Sequence, residues 1–358
     1  MPHRIEAGAV RMDAKSAVTS QTFNVLSLDG GGSRGIVTIT LLRELEKRVG
    51  PFLHKIDLFA GTSIGAANAA ALASGKSVQS MVDFYDEEGC AIFGQRYSAP
   101  GVIGHLLAAL ECVPYAGKYV ALLTDLFYPK WSNHGLQAAL QSYFGGETLL
   151  VDVPHHLLMT SMKLDADCPF VKGGPRVVAP YVFRNFGLSA DAGLTPAQYG
   201  SELRLYDAVL RSMSAPAYFE SHQGFVDGGM FANNPCMAAY ASAVSLTRKS
   251  ESPVTINLLS IGTGISENGI ENDGNLAWGL LRWGEAAMDA SATAVDEFDS
   301  MLAQSIMGAG FNRLNIKLPH TFALDDCKML PELHRIAKAA VDTPEFAESV
   351  KFISSRMS

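Results

Sequence analysis

Before residue 80 the chain twice runs an apolar strand pattern into a glycine-rich turn and then into a helix pattern. In the first pass, residues 24–28 (NVLSL) enter residues 29–35 (DGGGSRG). A segment follows in which Val37, Leu41, Leu42, Leu45 and Val49 share one helical face and Gly50-Pro51 ends the run. In the second, residues 57–60 (DLFA) enter residues 61–65 (GTSIG) and an alanine-rich stretch that stops at Gly75. Strand, helix, strand, helix in this order makes a right-handed parallel crossover. Nearly continuous apolar strands need cover on both faces, so the crossover implies a sheet between two helical layers.

Further β-type runs fall at 157–164, 181–186 and 254–261, beside those at 23–28 and 56–60. From about 81 to 144 the sheet signal gives way to helical segments broken at Pro100-Gly101, Pro114 and Gly117. Residues 269–308 and 332–357 are again helical in pattern, the latter read as one final helix. The predicted fold is α/β: three layers, α/β/α, around a mostly parallel central sheet. Its parts are a loose tail at 1–22, one domain over 23–320 with a helical insertion over a sheet edge at about 81–144, and a C-terminal helical segment at 321–358.

Charge narrows the partners. A net charge of -8 without a dense Lys/Arg run argues against nucleic acid, and against a purely electrostatic grip on anionic membranes. Peripheral contact with a bilayer would rest on apolar surface. The five cysteines (Cys90, Cys112, Cys168, Cys236 and Cys327) are scattered with no CxxC pair, which reads as reduced thiols in a cytoplasmic setting. Residues 1–20 lack the apolar core of a secretory signal, and the apolar stretches at 102–110 and 120–123 are too short to span a bilayer.

The second turn carries the chemistry. Gly61-Thr62-Ser63-Ile64-Gly65 is G-x-S-x-G between a strand and a helix, where small residues two positions either side permit a sharp turn that presents a serine hydroxyl. A serine nucleophile needs a home for the negative charge of its tetrahedral intermediate. The amides of Gly30, Gly31 and Gly32, at the end of the neighbouring strand, can provide it. The same glycines with Gly35 also satisfy G-x-G-x-x-G, and a dinucleotide site would need an acidic residue at the end of the second strand. Asp57 has the spacing but sits at the start of its strand, so no cofactor is expected. The proton acceptor would be Asp227, fixed before Gly228-Gly229 at the end of a short Phe-Val run. An ordinary aspartate is a weak base, and this one can serve only if burial raises its proton affinity and Ser63 lies within hydrogen-bond reach.

In this order, DGGGSRG (29–35), GTSIG (61–65), SAPAYF (214–219), DGG (227–229) and LSIGTG (259–264) resemble the motifs of the patatin-like phospholipases over about 23–318. The resemblance implies a Ser63–Asp227 dyad, an oxyanion hole at Gly30–Gly32 with Arg34 close by, and calcium-independent hydrolysis of lipid acyl esters without a metal. The stretch from Trp278 to FNRLNIKLP is most similar to the bacterial branch, some members of which are antiviral effectors switched on by cyclic nucleotides. A small-molecule activator and a homo-oligomer are both compatible with that. The implied substrate is a phospholipid or other acyl-ester lipid, and a lipid-binding protein with little turnover is the competing reading.

Other residues carry blander expectations. A Ser-Asp-His triad would draw on His222, His320 or His334, of which His320 and His334 read as surface histidines. His155-His156 lacks a third ligand at metal spacing. Arg34, at a helix start where the macrodipole disfavours a cation, implies an anionic neighbour: the oxyanion loop, a substrate phosphate, or Asp29. Asn233-Asn234-Pro235 reads as a turn former, and the apolar 101–128 stretch as core, as a cap on the acyl pocket or as a surface that touches a bilayer.

Overall fold

The computed structural model describes residues 21–98, 124, 127–168, 174–188, 199–267 and 280–357, with backbone alone at 280–290. Among the described residues, seven strands form one sheet: β1 (Gln21–Leu28), β2 (Leu58–Thr62), β3 (His156–Asp167), β4 (Arg176–Arg184), β5 (Phe225–Asp227), β6 (Val254–Ile261) and β7 (Phe311–Leu314). The order is β4-β3-β2-β1-β6-β7, with β5 pairing β3. Strands β3, β2, β1, β6 and β7 are parallel, while β4 and β5 run antiparallel to β3. The helices are α1 (Gly35–Val49), α2 (Ile64–Ala73), α3 (Val78–Glu88), α4 (Asn133–Phe144), α5 (Leu205–Met213), α6 (Gly229–Ala232), α7 (Cys236–Thr247), α8 (Leu280–Met307), α9 (Leu330–Ala339) and α10 (Pro344–Arg356).

Alternation along the strands sorts the layers. Leu26, Leu28, Phe59, Leu157, Met159 and Ile261 face one core with α1, α2, α3, α5, α9 and α10. Val25, Leu58, Ala60, Leu158 and Leu258 face the other with α7 and α8. Three layers result, as the apolar strands require. The alanines of α2 explain its position: Ala66, Ala69, Ala70 and Ala73 are fully buried, so the helix lies close under β2.

Two expectations are corrected, and two features go beyond the sequence reading. Strand β7 had no separate sequence signal, being only four residues long. The predicted final helix is two helices, because Thr343 caps a new start with Pro344 at its first position. The 321–358 segment packs into the main core through Phe322, Leu333, Phe346 and Ile353. Cys90 and Cys327 are disulfide-bonded, joining the end of α3 to the start of α9 across 237 residues; Cys168 and Cys236 are free. Scattered spacing hides such a pair, since the fold and not the sequence brings them together. Much of the 81–144 insertion, from 99 to 123, and nearly all of the 101–128 stretch lie outside the described residues, as do the tail at 1–20 and Cys112. Among the described residues, no helix is long and apolar enough to cross a membrane.

Candidate active site

The register of β3 brings the two halves of the site together. Thr62, the last residue of β2, pairs with Thr160, and Asp227, the last of β5, pairs with Ser161. Ser161 also pairs with Tyr181 of β4, so β5 occupies the opposite flank of β3, in line with the end of β2. Residue 63 and residue 227 therefore meet at the carboxyl end of the sheet.

Ser63 sits at φ 55°, ψ −125°, a conformation that costs a non-glycine residue about 1–3 kcal/mol and must be imposed by its surroundings. The flanking glycines show how. A Cβ on Gly61 would collide with the carbonyl oxygen of Gly65, and one on Gly65 with that of Leu28. The Ser63 amide donates to Ser212 Oγ at 3.0 Å, and Ser212 Oγ donates to the Thr160 carbonyl at 2.6 Å.

Asp227 is buried and accepts a hydrogen bond from the Gly229 amide at 2.7 Å, and the Ser63 side chain is near enough to draw its pKa down. Burial pushes its carboxyl up to about 6, against both of these pulls. The first glycine of the turn is sterically required, because a Cβ on Gly228 would strike Thr160; one on Gly229 would make a tight contact of 3.1 Å with the Asp227 carboxylate.

The glycine loop lies alongside. A Cβ on Gly30 would come within 3.2 Å of Ser63 Cβ. Gly30 is a partial correction, because its amide donates to the Asn233 carbonyl at 3.1 Å and its own carbonyl accepts from Thr263 Oγ1 at 2.9 Å. The N–H groups of Gly31 and Gly32 donate to no group among the described residues, and both glycines line the same cavity as Ser63. Arg34 lines it too, and its Nε donates to the Gly31 carbonyl at 3.3 Å. Asp29 has a partner that sequence reasoning missed: Arg313 of β7 takes both its carboxylate oxygens, at 2.8 and 2.5 Å, while Arg34 acts on Asp29 through space.

The cavity measures about 710 Å³, within the range of small-molecule sites. Ile92, Phe93, Met213, Phe219, Phe322 and Leu330 make much of it apolar, and Arg34, Asn233, Asp296 and Glu297 mark a polar side. No histidine among the described residues lines it. His222 Nε2 bonds Asp207 Oδ1 at 2.6 Å, and His320 stacks on Phe322. His334, expected on the surface, is half-buried between Thr40 and Arg43 at 3.0 and 2.9 Å, and burial holds its pKa below the ordinary value. Asp57 accepts from the Asn24 amide at 2.7 Å near the amino ends of β1 and β2, the wrong end of the sheet for a ribose. The space beside Gly31 and Gly32 is filled by Thr263 and by the Leu324 carbonyl, so these glycines serve close packing within the protein.

A family model described as patatin-like phospholipase matches residues 26–240, which span the elbow, the loop and the DGG turn. The chain belongs to the patatin-like phospholipase family. It is thus of hydrolase stock, built for lipid hydrolysis. Among curated patatin-like relatives, CotR of Bacillus subtilis is 26% identical over 88% of this chain and 93% of its own length. A cGAMP-activated phospholipase of Escherichia coli is 27% identical over 70% of this chain and 65% of its own. An intracellular phospholipase A2 of Caenorhabditis elegans is 30% identical over 67% of this chain but only 19% of its own length.

Proposed function

We propose that this protein is a phospholipase A type acyl hydrolase working through Ser63 and Asp227. One observation carries the reading: Ser63, held at a strained elbow, shares the cavity wall with Asp227, a buried carboxylate that burial pushes up to about 6 against the pull of the Ser63 side chain. At neutral pH that carboxylate is ionised, yet it binds a proton far better than an exposed aspartate does.

Ser63 Oγ attacks the ester carbonyl carbon while its proton passes to Asp227. The oxyanion is received by the Gly31 and Gly32 amides, with Arg34 adding positive charge at the polar side. The bond to the glycerol oxygen breaks, Asp227 returns its proton to that oxygen, and an acyl-serine remains. Water then attacks the acyl carbon as its proton passes to Asp227; the bond to Ser63 Oγ breaks, Asp227 returns the proton to that oxygen, and the fatty acid leaves. No step calls for calcium, since the amides supply the electrophilic stabilisation. The substrate is a glycerophospholipid or related acyl ester met at a membrane surface. A gated form of the same activity is the second reading, favoured by the cGAMP-activated relative.

Mass spectrometry of products from mixed phospholipid vesicles tests this, with EDTA present and with or without cGAMP. Free fatty acid and lysolipid from the wild type, and none from Ser63→Ala, are the expected result. Equal products from both proteins would overturn the dyad.

A further inference from the structure

Asn233, read from sequence as a turn former, joins the two working loops. Its main-chain carbonyl holds the Gly30 amide at 3.1 Å, and its side-chain Oδ1 occupies the space where a Cβ on Gly30 would lie. The same Oδ1 is 3.4 Å from the Cβ position of Gly229, beside the Asp227 carboxylate. Something must fix this side chain, and it comes from α8, which shares a layer with α7, the helix that follows Asn233. Asp296 of α8 accepts from Asn233 Nδ2 at 2.7 Å through one oxygen and from the Asn234 amide at 2.9 Å through the other. Asn234 Nδ2 ties back to the Asp296 carbonyl and to Ser300 Oγ, at 3.3 and 3.0 Å.

We propose that Asp296 is a positioning residue for hydrolysis: by fixing Asn233 it sets Gly30 against Ser63 and so aims the Gly31 and Gly32 amides. The assignment rests on the dyad reading above. Asp296 needs both oxygens as acceptors, which favours its ionised form, although burial and the nearby Asp29 carboxylate push it up to about 7. A carboxylate kept in so unfavourable a place, with two N–H donors aimed at it, is set there for alignment. The Gly30 contact predicts an effect on turnover and little on binding, because the acyl wall of the cavity lies elsewhere.

The test compares wild type, Asp296→Asn, and the swap Asn233→Asp with Asp296→Asn, using a short-chain aryl ester. End-point labelling by a fluorophosphonate counts competent Ser63 sites, so unfolded protein does not enter the rate. Asp296→Asn leaves one N–H facing the new amide's own N–H. Its kcat per labelled site should fall about 10–100-fold with KM within about threefold. The swap restores a donor-to-acceptor match: the new side-chain amide on α8 accepts from the Asn234 backbone N–H through its oxygen and donates through its nitrogen to the carboxylate now carried by the turn. It should recover at least tenfold of the loss. A kcat per site within twofold of wild type in Asp296→Asn, or no recovery in the swap, overturns the proposal. If Ser63→Ala retains full activity, the dyad reading fails first and the assignment of Asp296 falls with it.

Discussion

The two flanks of the site were built from different kinds of information. On the β2–β5 flank, Ser63 and Asp227 sit at turns whose glycines are dictated by contact: Gly61 against Gly65, Gly65 against Leu28, Gly228 against Thr160. On the β6–β7 flank, Asp29 is held by Arg313 from 284 residues away, Thr263 grips Gly30, and the Leu324 carbonyl receives the Ser33 amide at 2.7 Å. The first flank is local, with motif spacing that mirrors its geometry. The second is made of long-range contacts, and among Arg313, Thr263 and Leu324 only Thr263, inside LSIGTG, lies in a recognisable motif. Mutations on the first flank should therefore remove chemistry and spare the fold, whereas those on the second should cost stability or alignment.

The largest effects belong to the dyad. Ser63→Ala and Asp227→Asn should each lower kcat by on the order of 10³-fold or more, with the double variant little worse, because nucleophile and base act as a unit. Stability separates this flank from the other. The folded pKa of Asp227, about 6, lies above the ordinary 3.8, so burial of the ionised form costs stability that grows as pH rises from about 4 to 6 and is constant above. Asp227→Asn removes that cost. It should melt no lower than wild type at pH 8 while being inactive; a variant that is inactive because it is unfolded would erase the distinction between flanks.

On the far flank, Arg313→Met leaves Asp29 as a buried carboxylate without its counter-charge. Breaking such a pair typically costs about 3–5 kcal/mol, read as a lower denaturant midpoint. Adding Asp29→Asn should recover part of the loss, since the stranded charge is gone. No recovery would mean that Arg313 matters through packing or through its bond to Ser260 Oγ, which measures 2.8 Å.

Gly31→Val falls between the two regimes. Its Cβ would strike the Thr263 side chain, so the loop must shift even if the fold survives. Loss of one oxyanion donor is worth about 10²–10³ in kcat, measured with a short aryl ester that needs little acyl binding. Unchanged kcat in folded protein would place the oxyanion elsewhere. The pH profile gives a milder test of the β2–β5 flank: kcat/KM should decline about tenfold per unit below pH 6 as Asp227 takes up a proton. An acid limb near 4 would mean a base with ordinary solvation.

Legibility in the sequence follows the same division. The elbow, the glycine loop and the DGG turn could be read because each needs special residues at fixed short spacing, and β1, β2, β3 and β6 because buried strands are continuous apolar runs. Arg313 could not: β7 is four residues long and half polar in pattern, so neither the strand nor its cation stands out. Cys90–Cys327 was invisible for the same reason, the partners being 237 residues apart. Asn233 was seen but undervalued, since its role depends on Asp296 from a helix more than sixty residues on.

The smallest effect on turnover should come from His222→Ala, and it discriminates most finely between a dyad and a triad. His222 lies five residues before Asp227, close enough in sequence to be suspected as a third member. Its Nε2 is engaged by Asp207 at 2.6 Å, and Arg211 binds the other oxygen of that carboxylate at 2.8 Å. This cluster steadies the turn into β5, where His222 and Phe225 exchange backbone hydrogen bonds of 2.9 Å. Loss of the imidazole leaves Asp207 with Arg211 and Gln223 as donors, so the cost should be about 1–3 kcal/mol of stability. A general base contributes about 10²–10⁴-fold, so a bystander's removal should change kcat by less than about tenfold. A loss as deep as that of Ser63→Ala, in protein that still labels with a fluorophosphonate at Ser63, would make His222 a participant and the two-residue mechanism wrong.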